Sequence, residues 1–458
     1  MVEMMGVRWW RLLAVLAAGL LLIAGCLGTG GGTREPSQAS NPPKLPVASS
    51  RTADSGGLVL GAIFREAPAS LKLARLDPRS LEPLPGRQLD LPGAWWVLSV
   101  APDRSMAVLA NEASGKLAFV DLAGMRSLGM LRVKSLAWTR TSRWIGRSRV
   151  LLVMGELPVS RHSVMLMLDP HARRVLHRQR LDGPVLTSGH VPGGLVLLLA
   201  PDQGIGPATL AVVDDRGGIR TVTLSGIVAG YESVETDGLL VDRQAFPGLA
   251  VDPAGRRAYV VAAAAPAVAE VDLATLRVGY HRLGRPTSLL RRLANWLLPP
   301  ARAKGATSGP ARSALWLGEG LVAVAGSDAV ATNTKQGVRE VQRPSGLQLI
   351  DTHTWTVHLL DRHTSSIVLA AGRLFASGYR YDSNDGEVKG YGLTIYGPGD
   401  RRPVHLMGSN PVWNIQVLGD LAYVHDDASG YSVVDLRSNR VLRREQQDLP
   451  AFLEPDQP

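Results

Sequence analysis

Leu249-Ala-Val-Asp-Pro-Ala-Gly-Arg-Arg-Ala-Tyr-Val-Val261, followed by Ala269-Glu-Val-Asp-Leu-Ala-Thr-Leu-Arg-Val278, is the stretch that decides the fold. Each apolar run is too short for a helix, rich in valine and broken by Pro, Ala or Gly, which is the pattern of β-strands joined by tight turns. The aspartate that closes the second run has a mechanical use, because its carboxylate can accept N–H groups of the turn that follows. Working outward from there, the same hairpin recurs at Leu73–Asp77, Ala118–Asp121, Met165–Asp169, Ala211–Asp214, Leu347–Asp351, a degenerate Leu393–Gly397 and Ser432–Asp435. Successive copies lie 44, 48, 45, 58, 79, 46 and 38 residues apart by subtraction of their end positions. A period in the forties is that of a four-stranded propeller blade, and the intervals after Asp214 and Asp272 carry insertions.

The expected fold is therefore an all-β propeller over residues 57–458, with eight blades and seven as the alternative. Residues 57–90 hold apolar runs for only three strands, Leu58–Phe64, Leu71–Leu76 and Leu81–Leu89, so the run Leu449–Leu453 is expected to complete the first blade and close the ring. The stretch 246–283, and more loosely 94–133 and 415–445, resembles the YVTN-type repeat of β-propellers. That family includes surface-layer proteins and lactonase-like enzymes, so the resemblance implies a fold and leaves the activity open.

The amino terminus reads separately. Arg8-Trp-Trp-Arg11 is a short basic start, Leu12–Ala24 is an apolar run shorter than a spanning helix, and Ile23-Ala-Gly-Cys26 ends it with the only cysteine of the chain. These residues resemble the lipobox of bacterial lipoproteins, which implies a signal peptide over 1–25, diacylglyceryl transfer to the Cys26 thiol, and palmitate-like acylation of the new terminus. More than one buried acyl chain makes such an anchor effectively permanent. The Gly-, Pro- and Ser-rich residues 26–56 then form a flexible tether. The location implied is the cell envelope, on the outer face of the cytoplasmic membrane or in an outer membrane facing the periplasm.

Within the longest interval, Ser288–Leu298 has apolar residues at helical spacing ended by Pro299-Pro300, an amphipathic helix inside an insertion at about 285–310, with a mobile tail at Ala303–Pro310. A hydrophobic content of 45% with 20% charged residues is that of a chain that folds. The net charge of +10 is scattered without a dense basic run, which speaks against nucleic acid as a partner. Tyr379–Glu387 gathers oxygen ligands, but Asn384-Asp-Gly386 explains the same residues as a hairpin turn. Neither His353/His358 nor His425-Asp-Asp427 has specific metal-ligand spacing, and no serine-hydrolase, zinc or phosphate-loop motif is seen. No metal and no cofactor is expected.

Polar and aromatic residues in the loops that lead into innermost strands are the candidates for lining a pocket: Trp95, Trp96, Tyr231, Glu232, Arg380 and Trp413. The expected function is a monomeric, membrane-anchored binding or scaffolding propeller whose partners are membrane lipid, through Cys26, and an envelope protein or glycan. A lactonase-like or other hydrolase with its site in the central channel is the alternative.

Overall fold

In a computed structural model of the protein, the described residues are 59–452 except 67–68, 135–138, 156–161, 237–238, 284–306, 335–336, 398–401, 427–429 and 446–450. The expectations for the signal peptide, for Cys26 and the tether, and for the helix Ser288–Leu298 lie outside them. Every regular element described is a β-strand.

The second repeat shows how sequence becomes structure. Trp96–Val100, Met106–Asn111, Lys116–Asp121 and Arg126–Arg132 pair in that order as an antiparallel sheet. The two middle strands are apolar on both faces. Val108, Ala110, Leu117 and Phe119 pack against the third repeat. Ala107, Leu109, Ala118 and Val120 point the other way, into the first. This is the period-2 alternation of a strand buried from both sides, and each fully buried Leu or Phe contributes about 1.5–3 kcal/mol. The fourth strand is the most exposed of the four, as the outer edge of a blade should be.

Among the described residues the strands group into eight such four-stranded units, counted here in chain order. From the second unit to the seventh, the first strands of consecutive units touch one another and so lie innermost. In the first unit that place is taken by Ala451–Phe452, which pairs with Gly61 and Ala62 of Val59–Glu66. The eighth unit returns to the first through Tyr423, Tyr431 and Val433 packed on Ala74, Leu76 and Leu81. Tyr423 Oη donates to the Pro78 carbonyl, and an Arg443 amino group donates to the Ser80 carbonyl at 2.9 Å. The expected strand Leu81–Leu89 is corrected to Leu89–Pro92, because Pro83 and Pro85 cannot donate to a ladder.

The repeated aspartates do what their position implies. Asp77, Asp121, Asp169, Asp214, Asp272, Asp351 and Asp435 each accept backbone N–H groups of the turn between the third and fourth strands, at 2.7–3.3 Å. Four residues after the aspartate the chain turns left-handed at Leu81, Met125, Arg173, Leu276, Trp355 and Asn439, with φ between 47° and 58°. A non-glycine there costs about 1–2 kcal/mol. Leu81 and Met125 are nevertheless buried at 2% and 6% exposure, and burial of about 1.5–3 kcal/mol outweighs that cost.

One feature departs from a plain row of blades. Ile219–Thr236, Leu321–Thr334 and Arg373–Asp382 overrun their own units and, with Leu239–Ala245 and Gly337–Pro344, build an added sheet. Asp242 lies opposite Thr307 in a parallel pair, and Val341 lies opposite Asp382 in an antiparallel one. The fourth, sixth and seventh units thereby become one 14-stranded sheet that leaves out the fifth. Gly309 (φ +139°) permits the crossing, since a Cβ there would lie 1.9 Å from the Gln244 carbonyl oxygen. The tail expected at Ala303–Pro310 is corrected in its last four residues, which open the strand Thr307–Gly318.

Candidate functional site

Strand direction sorts the candidate residues onto one face. Trp96 and Trp413 stand at the start of innermost strands, Tyr379 and Arg380 at the end of a second strand, and Tyr231 and Glu232 at the end of a fourth. In an antiparallel unit all these points lie on the same side, here called the entry face. The opposite side, with the turns between first and second and between third and fourth strands, is the turn face.

On the entry face the six candidates do not converge into one pocket. Trp95 is corrected to a core side chain: it is 3% exposed among the residues between the first two units, and its indole N–H donates to the Pro92 carbonyl at 3.0 Å. Trp96 is 54% exposed and lines a recess with Glu112, Thr139, Arg140 and Ser142 from the second and third units. Glu112 there accepts the Thr139 backbone N–H at 3.0 Å. Tyr231 is exposed on the added sheet beside Ser233, whose hydroxyl donates to Asp242 at 2.6 Å. Glu232 pairs with Arg243 at 2.8 Å.

Tyr379, next to Arg380 in the chain, meets the Trp413 ring at 4.7 Å across the boundary between the seventh and eighth units. Arg380 bonds Asp382 at 3.3 Å, and Asp382 also receives two bonds from Arg339 of the added sheet, one at 2.9 Å. The Arg339 guanidinium holds the Asp382 carboxyl well below the usual carboxylate range. Tyr379–Glu387 is accordingly a hairpin, with Asp385 accepting the Glu387 N–H at 2.9 Å and Gly386 at φ +67°. Among the described residues no three His, Cys, Asp or Glu side chains gather as a metal site.

The turn face carries a recess that the sequence reading missed. It lies between the fifth and sixth units, encloses about 570 Å³, and is lined by Asp252, Arg256, Arg257 and Tyr259 from one side and Trp316, Glu319, Gly320, Thr352 and His353 from the other. Asp252 closes the Val-Asp-Pro-Ala-Gly turn and binds the Arg256 Nε–H at 2.9 Å. Arg257 pairs with Glu270, whose second oxygen meets His281 Nε2 at 3.0 Å. Its hydrogen bond with Tyr259, and then the charge of Glu270, push the Arg257 guanidinium up. Tyr259 and Trp316 stack across the unit boundary at 5.3 Å with planes 2° apart, and His281 stacks on Trp355 at 3.5 Å. Gly320 (φ +77°) leaves room for His353, since a Cβ there would lie 2.0 Å from the imidazole Cε1. The available signal was the pair of tryptophans in the repeat that follows the best-kept one, Trp316 near the end of its first strand and Trp355 in its Asp351 turn.

No protein-family model matches the chain, and no curated protein matches it in sequence. Solved structures do. The structure of dihydro-heme d1 dehydrogenase NirN in complex with DHE is similar with a TM-score of 0.52 and 12% identity, covering 92% of this chain and 82% of that one. A functionally unknown protein from Desulfotomaculum acetoxidans covers 87% of this chain and all (100%) of its own at a TM-score of 0.42 and 12% identity. The WD40 domain of Toxoplasma gondii coronin covers 72% and 77% at 0.39 and 12%. Likeness at such identity speaks of fold alone. With the repeated four-stranded units already described, it makes the chain an all-β propeller.

Proposed function

We propose that the protein is a lipid-anchored binding module of the bacterial cell envelope, held to a membrane through Cys26 and carrying a propeller that docks an envelope protein or glycan on its entry face. The observation that carries the binding role is the added sheet. It places Arg380 and Tyr231 on strands rather than loops, fixes the Arg339–Asp382–Arg380 cluster by charge-assisted bonds, and carries Tyr379 against the exposed ring of Trp413. Rigid aromatic and arginine side chains presented without loss of conformational freedom are what binding hot spots are made of. The anchor rests on the basic start, apolar core, small residues and lone cysteine of 8–26.

Two experiments test the two halves. Metabolic labelling with a fatty-acid analogue is expected to mark the wild type and to be lost in Cys26→Ser; equal labelling of both would remove the anchor. Cross-linking in native membranes should capture a partner that is lost together in Trp413→Ala and Arg380→Ala. Capture unchanged in both variants would remove the entry face as the docking surface.

A further inference from the structure

The recess between the fifth and sixth units lies on the turn face and plays no part in the reading above. We infer that it is a binding site for a short neutral oligosaccharide.

The chemistry of the lining selects that class. A sugar presents a C–H face that packs on an aromatic ring, and hydroxyls that both donate and accept, so it needs a flat ring together with donors and acceptors. Trp316 supplies the ring, half-buried and held in orientation by its coplanar stack on the buried Tyr259. The donors are Arg256, whose Nε–H is taken by Asp252, and His353, while the Thr352 hydroxyl, which donates to the Gly320 carbonyl at 2.8 Å, is left to accept. The acceptors are the carboxylates of Asp252 and Glu319.

Charge narrows the choice. Two arginines face two carboxylates in the lining, so the site offers no net field to concentrate a phosphate, a sulfate or a cation. The polar groups are also too many for an apolar ligand, which would leave them unpaired. A volume of about 570 Å³ falls within the range of roughly 300–1,000 Å³ usual for small-ligand sites. The Arg256 and His353 side chains are 76% and 74% exposed, so the rim is open and a chain end can enter without displacing the core.

The test uses the full chain extracted in a detergent without a sugar head group, with cellotriose, maltotriose and chitotriose as probes, read by saturation-transfer NMR and calorimetry. At least one trisaccharide is expected to bind, with transfer concentrated on its ring protons. Arg256→Ala and Glu319→Ala are each expected to weaken binding about tenfold without shifting the melting temperature, because both side chains are exposed. Trp316→Leu should abolish binding, and Met130→Ala on the outer strand of the second unit should leave it unchanged. Absence of binding by all three probes overturns the inference. So does binding that survives both Arg256→Ala and Glu319→Ala, or that inorganic phosphate displaces. None of these outcomes bears on Cys26 or on the entry face.

Discussion

The two faces of the propeller are built on different rules. The turn face repeats itself: an aspartate accepts the N–H groups of a short turn, and a left-handed residue follows four positions on. The entry face has no repeat. Strands overrun by different lengths, pair across unit boundaries, and tie the fourth, sixth and seventh units while passing over the fifth. Regularity on one side keeps the units alike, and the irregular side is where one unit can be told from another. Loops and overruns of that kind are where propellers vary at least cost to the core.

The strongest way to break the contrast is to open the ring that both faces share. Truncation after Gln447 removes Ala451–Phe452 and leaves Val59–Glu66 an open edge, so both faces should fail together. The expected loss is several kcal/mol against typical stabilities of about 5–15 kcal/mol, seen as a lower melting temperature and aggregation. Deletion of 27–50 should do neither, and equal melting of the two truncations would show that the closing strand contributes nothing.

A smaller change should separate the faces. Replacing Asp328–Arg343 by Asn-Gly joins Ser327 to Pro344, which already face each other, and removes the added sheet's central hairpin. The β-rich circular dichroism should persist with a melting temperature lower by several degrees. Unfolding of the whole domain would mean that the added sheet belongs to the core.

On the turn face the contrast is between buried and exposed left-handed residues. Met125→Asn relieves backbone cost but loses buried surface, for a net loss of about 1 kcal/mol. Arg173→Asn relieves the same cost at an exposed position but gives up the guanidinium's bond to the Leu128 carbonyl, so stability in chemical denaturation should change by no more than about 0.5 kcal/mol. Equal effects would show that burial does not hold these turns.

The smallest effect is a pH dependence. Hydrogen bonds from the Thr275 backbone to Asp272, and from the Ser438 backbone to Asp435, hold both carboxyls below their ordinary value. A lowered folded-state value contributes stability that is complete above about pH 4 and is lost as pH falls through the folded value. Asp272→Asn keeps an acceptor without a titrating charge, so its acid unfolding limb should be flatter than that of the wild type. Superimposable limbs would show the turn to be indifferent to ionisation.

The same contrast explains what the sequence revealed. The hairpins ending at Asp121, Asp169 and Asp272 were legible because their information is local: apolar alternation and an aspartate within reach of its own turn. The added sheet was not, because Asp242 finds Thr307, and Val341 finds Asp382, through long-range pairing of segments too polar to announce a strand. The recess was hidden for a related reason. Tyr259 and Trp316 belong to different repeats, and only stacking of the fifth unit on the sixth makes them neighbours. Trp95 and Trp96 show the limit on the smallest scale, since adjacent residues of one type fall on opposite sides of a strand entrance, one inside and one out.

The pairing of Ala451–Phe452 with Val59–Glu66 also sets a clock. The first unit's inner strand is synthesised after the other seven units, so the first unit stays unfinished until they are available. Sequence-distant contacts are slow to form, and here the slowest of them is also the lock.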